Sequence, residues 1–294
     1  MSADRRPVHD LPRPARRRLL SLAAITVALP AARPAAGQQV LDLDVPFVTT
    51  PDNVVLSMLD LAQVSAPDFV LDLGSGDGRI VITAALRYGA RGLGVEIDPR
   101  LVSVANGNAR KAGVDARAKF IVQDLFASDL GQASVITMYL LPDVNIKLRP
   151  ALLELRPGTR IVSHDWDMGA WTPARTLVVD APEKRLGLNK QARLMLWVVP
   201  ANVGGRHVAN QFELSIEQAF GAISAARVRW QERSFVLAPG VVRGPSVILR
   251  GSSTDGRLLQ LAASVVRPPS PDRGIDWRLR IDDQPETVVR TRPG

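Results

Sequence analysis

Between Val70 and Ile80 the chain reads Val-Leu-Asp-Leu-Gly-Ser-Gly-Asp-Gly-Arg-Ile, a Gly-x-Gly-x-Gly turn with acids at Asp72 and Asp77. Gly74 and Gly76 permit dihedrals closed to other residues and let the main chain come within contact distance of a ligand, while Gly78 permits close helix–strand packing. Such a loop is by itself either a structural turn or a phosphate cradle. The acids discriminate, because carboxylates beside a pyrophosphate would repel it. The expected ligand is therefore cationic or neutral: a sulfonium bearing an α-amino group fits, and a dinucleotide fits worse. Glu96 ends the next apolar run, 24 residues after Asp72, where an acid accepts hydrogen bonds from two ribose hydroxyls. Asp124, after the third run, is placed to receive an adenine amino group.

Positioning these groups requires a sheet. Apolar runs at residues 69–73, 92–96, 119–122, 134–139, 160–163, 175–179 and 193–198 alternate over most of their length with helical patterns at 78–88, 99–112 and 144–155. Thr50-Pro51 reads as a capping hydroxyl followed by proline at the first helical position, opening a further helix to about Gln63. Asp98 reads as the cap of the helix that Pro99 begins. The alternation predicts an α/β fold, a Rossmann-like seven-stranded mostly parallel sheet with helices on both faces, over residues 38–203. Residues 204–294 carry short alternating segments separated by Gly, Pro, Ser and Asp, which predict a small antiparallel β module. Pro268-Pro269-Ser270-Pro271 reads as a loop, and the tail after Asp282 is expected to be disordered.

This pattern resembles the class I methyltransferases over roughly residues 46–198. Within that class, Pro46-Phe47-Val48, Asp72-Leu73-Gly74-Ser75-Gly76-Asp77-Gly78-Arg79-Ile80-Val81 and Gly94-Val95-Glu96-Ile97-Asp98-Pro99 are similar to the lysine methyltransferases that modify the mitochondrial ATP synthase c-subunit and adenine nucleotide translocase, and to their bacterial relatives. The resemblance implies S-adenosyl-L-methionine as cofactor. It implies that Asp72, Gly74, Gly76 and Gly78 hold its methionine part, Glu96 its ribose, and Asp124 with Leu125 its adenine, with Ser75 and Ile97 as further cofactor-binding residues. Phe47 and Thr49 are expected to line the pocket from an N-terminal flap, or to form a simple hydrophobic plug. The implied acceptor is a protein lysine; a small-molecule acceptor and a non-catalytic cofactor-binding or assembly protein are the alternatives.

Methyl transfer needs in-line positioning and, for a lysine, loss of a proton; no strong acid is required. Tyr139, ending the fourth run, is the candidate to orient an amine. The Asn-Pro-Pro-aromatic motif usual there in DNA and glutamine methyltransferases is replaced by Tyr139-Leu140-Leu141-Pro142, which argues against amide or exocyclic-amine acceptors. His164-Asp165-Trp166-Asp167 follows the fifth run. His164 is a candidate base or a satisfied strand-end residue, and Trp166 then reads as a lid on the core.

Composition bounds the remaining options. Cysteine is absent and only His9, His164 and His207 are available, too few for a multi-histidine metal site, so no metal is expected. Of the formal net charge of +8, five units sit before residue 38, where seven arginines face Asp4 and Asp10. The remainder gives no charge argument for a nucleic-acid partner. Arg16-Arg17-Arg18, the apolar run 19–29 and the small residues at 31–37 resemble a twin-arginine export signal. Residues 1–37 thus read as a leader, with membrane proximity and a bacterial envelope or periplasmic location if it functions, and a cytoplasmic one otherwise. Nothing in the sequence fixes the oligomeric state.

Overall fold

The apolar runs flanking the glycine loop lie side by side in the computed structural model, which describes residues 48–185, 189–266 and 274–294. Strands β1 (Phe69–Leu73), β2 (Arg91–Glu96), β3 (Ala118–Val122), β4 (Val135–Met138), β5 (Arg160–His164), β6 (Arg175–Asp180) and β7 (Gln191–Val198) form a seven-stranded sheet. Their order is β3-β2-β1-β4-β5-β7-β6. Strands β1 to β5 are parallel, and β7 runs antiparallel to both β5 and β6. The helices are α1 (Asp52–Leu61), α2 (Arg79–Tyr88), α3 (Pro99–Lys111) and α4 (Pro142–Leu153).

Side chains on a strand alternate between faces, and β1 divides the core accordingly. Leu71 and Leu73 pack with Leu148 and Leu152 of α4, whereas Val70 packs with Val54, Met58 and Leu59 of α1 and Ile80 and Ala84 of α2. Both faces of β1 are dry, so its backbone is held rigidly. The strand order reverses at β1, placing a crevice at the carboxyl ends of β1 and β4, the location where open parallel sheets bind ligands.

Helix α1 departs from expectation at both ends. It starts at Asp52 with Pro51 as its cap residue and no side-chain cap; the Thr50 hydroxyl lies instead 3.4 Å from His164 Nδ1. It ends at Leu61 because Gln63 turns left-handed (φ 53°) and Arg160 Nη1 donates to the carbonyls of Ala62 and Gln63.

The C-terminal strands are β8 (Gly205–Ala209), β9 (Phe212–Ala219), β10 (Ala222–Trp230), β11 (Arg233–Leu237), β12 (Gly240–Val241), β13 (Ser246–Ser253), β14 (Leu258–Ser264), β15 (Ile275–Ile281) and β16 (Thr287–Pro293). Every pairing among them is antiparallel. Successive hairpins run around the sheet, β10 pairs with β11, and β16 returns to β8, which closes a barrel and leaves β12 as a short addition on β10. Phe212, Leu214, Leu249, Leu261, Trp277 and Leu279 point inward and are buried together, so this barrel is filled by side chains.

The disordered tail expected after Asp282 is overturned. Residues 287–293 form β16, with Val289 and Thr291 buried. Only two of its residues face inward, and its partner β8 lies some eighty positions earlier in the chain, so no local apolar signal marks it. The loop expected at Pro268–Pro271 falls outside the described residues. Phe220, in the turn between β9 and β10, stacks on Trp171 with ring centroids 6.2 Å apart, and the Arg149 guanidinium lies 5.6 Å from the Phe220 ring.

Removing residues 287–294 should expose the free edges of β8 and β15 and uncover Trp277. The truncated chain is expected to lose protease resistance within residues 205–282, read by limited proteolysis with mass spectrometry. Wild-type resistance there would show that β16 does not close the barrel.

Candidate functional site

A cavity opens at the carboxyl ends of β1, β2 and β4. Its walls include Thr49, Asp72, Gly74, Ser75, Gly76, Glu96, Ile97, Asp124, Leu125 and Tyr139. These ten sequence-predicted residues are thus brought together. Three others are not. Phe47 lies outside the described residues. Gly78 packs away from the cavity; a β-carbon there would overlap Phe120 and Ala105, and its φ of +84° is left-handed. His164 is fully buried behind Tyr139, the two rings stacked at 3.9 Å between centroids.

Asp72 is the most constrained group. It is the penultimate residue of the apolar β1 strand, is 2% exposed, and accepts one side-chain hydrogen bond, from Thr137 Oγ1 of β4 at 2.7 Å. The register that sets Asp72 opposite Thr137 makes this contact possible. Burial pushes the Asp72 carboxyl up to about 7; the Thr137 bond opposes this, and the neighbouring Glu96 and Asp77 carboxylates reinforce it.

Glu96 holds the loop in shape. Its Oε2 accepts from Gly76 N at 3.0 Å, while Oε1 accepts from Ile97 N at 2.8 Å and Asp98 N at 3.1 Å. Gly74 N and Ser75 N both donate to Val95 O. Gly74 and Gly76 have φ of +75° and +53°, the left-handed region that favours glycine. The Ser75 hydroxyl is buried and has no partner among the described residues.

Asp77 lines the cavity as an ion-paired acid. Arg79 Nη2 lies 2.6 Å from Asp77 Oδ2, and Arg79 Nε also donates to this carboxylate. The pairing offsets part of its charge, and Asp77 still acts with Glu96 to raise the Asp72 carboxyl. Arg79 also donates to Thr50 O at 2.8 Å, tying the chain before α1 to the glycine loop. Sequence reasoning missed Arg79, Thr50 and Thr137, which lie outside the glycine and acid positions that define the motif.

Beyond β3, exposed Asp124 caps the 3-10 turn Leu125–Ala127 through Phe126 N at 2.9 Å, and Phe126 joins the wall. Asp98 caps α3 through Arg100 N at 2.8 Å and does not line the cavity. Trp166 is 41% exposed, so it is no lid on the core; its carbonyl instead accepts from Ser163 Oγ and Asn145 Nδ2. Desolvation raises the Tyr139 hydroxyl to about 12, with Asp165 adding to the shift, and burial lowers His164 to about 4. At neutral pH the phenol is protonated and the imidazole uncharged.

The family model of the ANTKMT methyltransferase domain matches residues 72–175. A protein-lysine N-methyltransferase of Saccharolobus islandicus is 45% identical over 138 residues, 46% of this chain and 86% of that protein. The lysine N-methyltransferase of the ATP synthase C-subunit from Mus musculus is 34% identical, covering 53% of this chain and 61% of its own. Adenine nucleotide translocase lysine N-methyltransferase of Mus musculus is 36% identical, covering 45% and 58%. The chain therefore spans less than two thirds of these two mouse proteins. A solved structure of an RNA methyltransferase from Salinibacter ruber in complex with S-adenosyl-L-homocysteine is 51% identical, covering 53% of this chain and 96% of that one, with a TM-score of 0.48.

The raised Asp72 pKa has a consequence for stability. The folded state keeps this proton up to about pH 7 whereas the ordinary value is 3.8, so the associated stability is full in acid and is lost as pH rises through about 7. Asp72→Asn, which can keep the Thr137 bond, should unfold at a higher urea concentration than wild type at pH 8, by about 2–4 kcal/mol, and at a similar one below pH 4. Equal midpoints at both pH values would show that Asp72 is not desolvated.

Proposed function

This chain belongs to the ANTKMT methyltransferase family and is an S-adenosylmethionine-dependent methyltransferase; from that premise we propose that it methylates the ε-amino group of a protein lysine and holds its cofactor in the cavity between β1, β2 and β4. The observation that carries the site assignment is Asp72, a carboxylate buried at the cavity wall with one neutral hydrogen-bond donor and no cation among the described residues. A buried carboxylate without a cation is costly, and an α-ammonium group supplies the missing charge. The partnerless Ser75 hydroxyl and the left-handed backbone at Gly74 and Gly76 fit the same ligand.

When bound, S-adenosylmethionine supplies a methyl group activated on a sulfonium. Asp72 and the glycine loop hold its amino-acid end, Glu96 its ribose hydroxyls, and Asp124 with Leu125 its adenine. Ile97 and Phe126 cover apolar surface beside these groups. Glu96 is already fixed by three backbone N–H groups, so it loses little freedom on binding. Tyr139 stands at the cavity wall with a protonated hydroxyl that orients an incoming amine and does not accept its proton. The stacked, uncharged His164 fixes the tyrosine ring from behind.

A lysine acceptor is supported by the names of the archaeal and mouse relatives. We further read residues 1–37 as an export leader on the strength of Arg16-Arg17-Arg18 and the apolar run that follows. Residues 38–203 are then the methyltransferase domain and 204–294 the β module, with a protein acceptor in the cell envelope.

Glu96→Ala should weaken S-adenosylmethionine binding by more than about tenfold, an effect on the order of 1.5–3 kcal/mol for a lost charge-assisted hydrogen bond. Calorimetry measures it, and unchanged affinity would refute the ribose assignment. Incubation with labelled cofactor and a bacterial envelope extract should place label on lysine side chains, read by peptide mass spectrometry. Label confined to small molecules would overturn the lysine assignment.

A further inference from the structure

Behind Tyr139, next to the cavity wall, lies a cluster that does not itself line the cavity. Asp165 directly follows β5 and is non-glycine with φ of 64°, a conformation that persists only when its surroundings enforce it. The enforcement is visible: Asp165 N donates to Arg193 O at 2.7 Å, Arg193 N donates to Asp165 Oδ1 at 3.0 Å, and Arg193 Nη2 donates to Asp165 O at 3.0 Å. These bonds aim the other oxygen, Oδ2, towards Tyr139, whose hydroxyl is 3.5 Å away. The fully buried His164 Nε2 lies 3.6 Å from the same oxygen and has no hydrogen-bond partner among the described residues.

A lysine already occupies this place. Lys184, in the loop between β6 and β7, has a side chain only 8% exposed; its Nζ lies 2.7 Å from Asp165 Oδ2 and donates to Gln191 O at 2.6 Å. The chain thus holds a buried lysine ammonium at a carboxylate within reach of a tyrosine on the cavity wall.

Resting on the lysine-methyltransferase reading above, we propose that Asp165 is the subsite that receives the acceptor lysine's ammonium, and that Lys184 occupies it until the acceptor displaces it. The geometry fits a cationic acceptor. One carboxylate oxygen is fixed by the backbone of β7, and the other faces the cavity wall through Tyr139. An uncharged His164 beside it adds no competing positive charge. A neutral acceptor would have to displace Lys184 without replacing its charge, leaving Asp165 buried and unpaired, so the subsite also selects for cationic substrates. Because this contact acts in binding the acceptor, its effect belongs in KM.

The test uses the full chain, S-adenosylmethionine and a lysine peptide taken from a protein that the wild-type enzyme labels. Asp165→Asn should raise the peptide KM by at least about tenfold, with kcat changed much less and cofactor affinity unchanged. Lys184→Gln should lower the peptide KM, because the resident competitor is gone. Cofactor affinity and thermal unfolding of both variants report whether the fold is intact. A raised KM in both variants would assign the pair a structural role only and overturn the inference, as would an unchanged KM in both. If Asp165→Asn does not fold, Lys184→Gln alone decides. A wild-type enzyme that labels no lysine at all would remove the proposed function and this inference together.

Discussion

The site depends on the desolvation of one carboxylate. Asp72 stands next to last in a strand that is dry on both faces, and it is itself only 2% exposed. Thr137 gives it one neutral donor across the β1–β4 pairing. Its nearest charges, Glu96 and Asp77, are of the same sign. The fold therefore keeps an acid whose charged form lacks a partner, at the place where the strand order reverses and a ligand can enter. This costs stability near neutral pH and creates a demand for positive charge at the binding position.

The surrounding contacts fix geometry more than they add attraction. Glu96 spends three hydrogen bonds on the backbone, so the loop is shaped before any ligand arrives. Arg79 pairs with Asp77 and anchors Thr50, joining the segment before α1 to the same loop. Tyr139, His164 and Asp165 form a second layer beside the cavity, linked by a ring stack and a long phenol–carboxylate contact. The barrel touches the first domain through Phe220 on Trp171 and through Gly244 beside Val198 of β7, and its interior is filled.

Much of this was legible in the sequence, for identifiable reasons. A strand, a glycine turn and a helix in immediate succession fix where a loop must lie, so Asp72, Gly74, Gly76 and Glu96 could be placed at one crevice from spacing alone. Short alternating segments separated by turn residues predicted the antiparallel pairing of the β module, though not its closure into a barrel. What could not be read depends on contacts between distant segments. Neither the Thr137–Asp72 bond nor the return of β16 to β8 leaves a local pattern. The Arg79 guanidinium, two residues along, folds back on Asp77, which a charge count along the chain does not distinguish from two free ions. Thr50 was assigned a capping role on residue type, but Pro51 occupies the cap and the hydroxyl turns to His164.

The central claim is that Asp72 is protonated in the free protein and ionises when a cationic ligand arrives. Calorimetry of S-adenosylmethionine binding at pH 6, in buffers of different ionisation enthalpy, counts the protons exchanged. With an Asp72 carboxyl at about 7 in the free protein, binding should release close to one proton at pH 6 and far fewer at pH 8. No proton release at pH 6 would contradict the account.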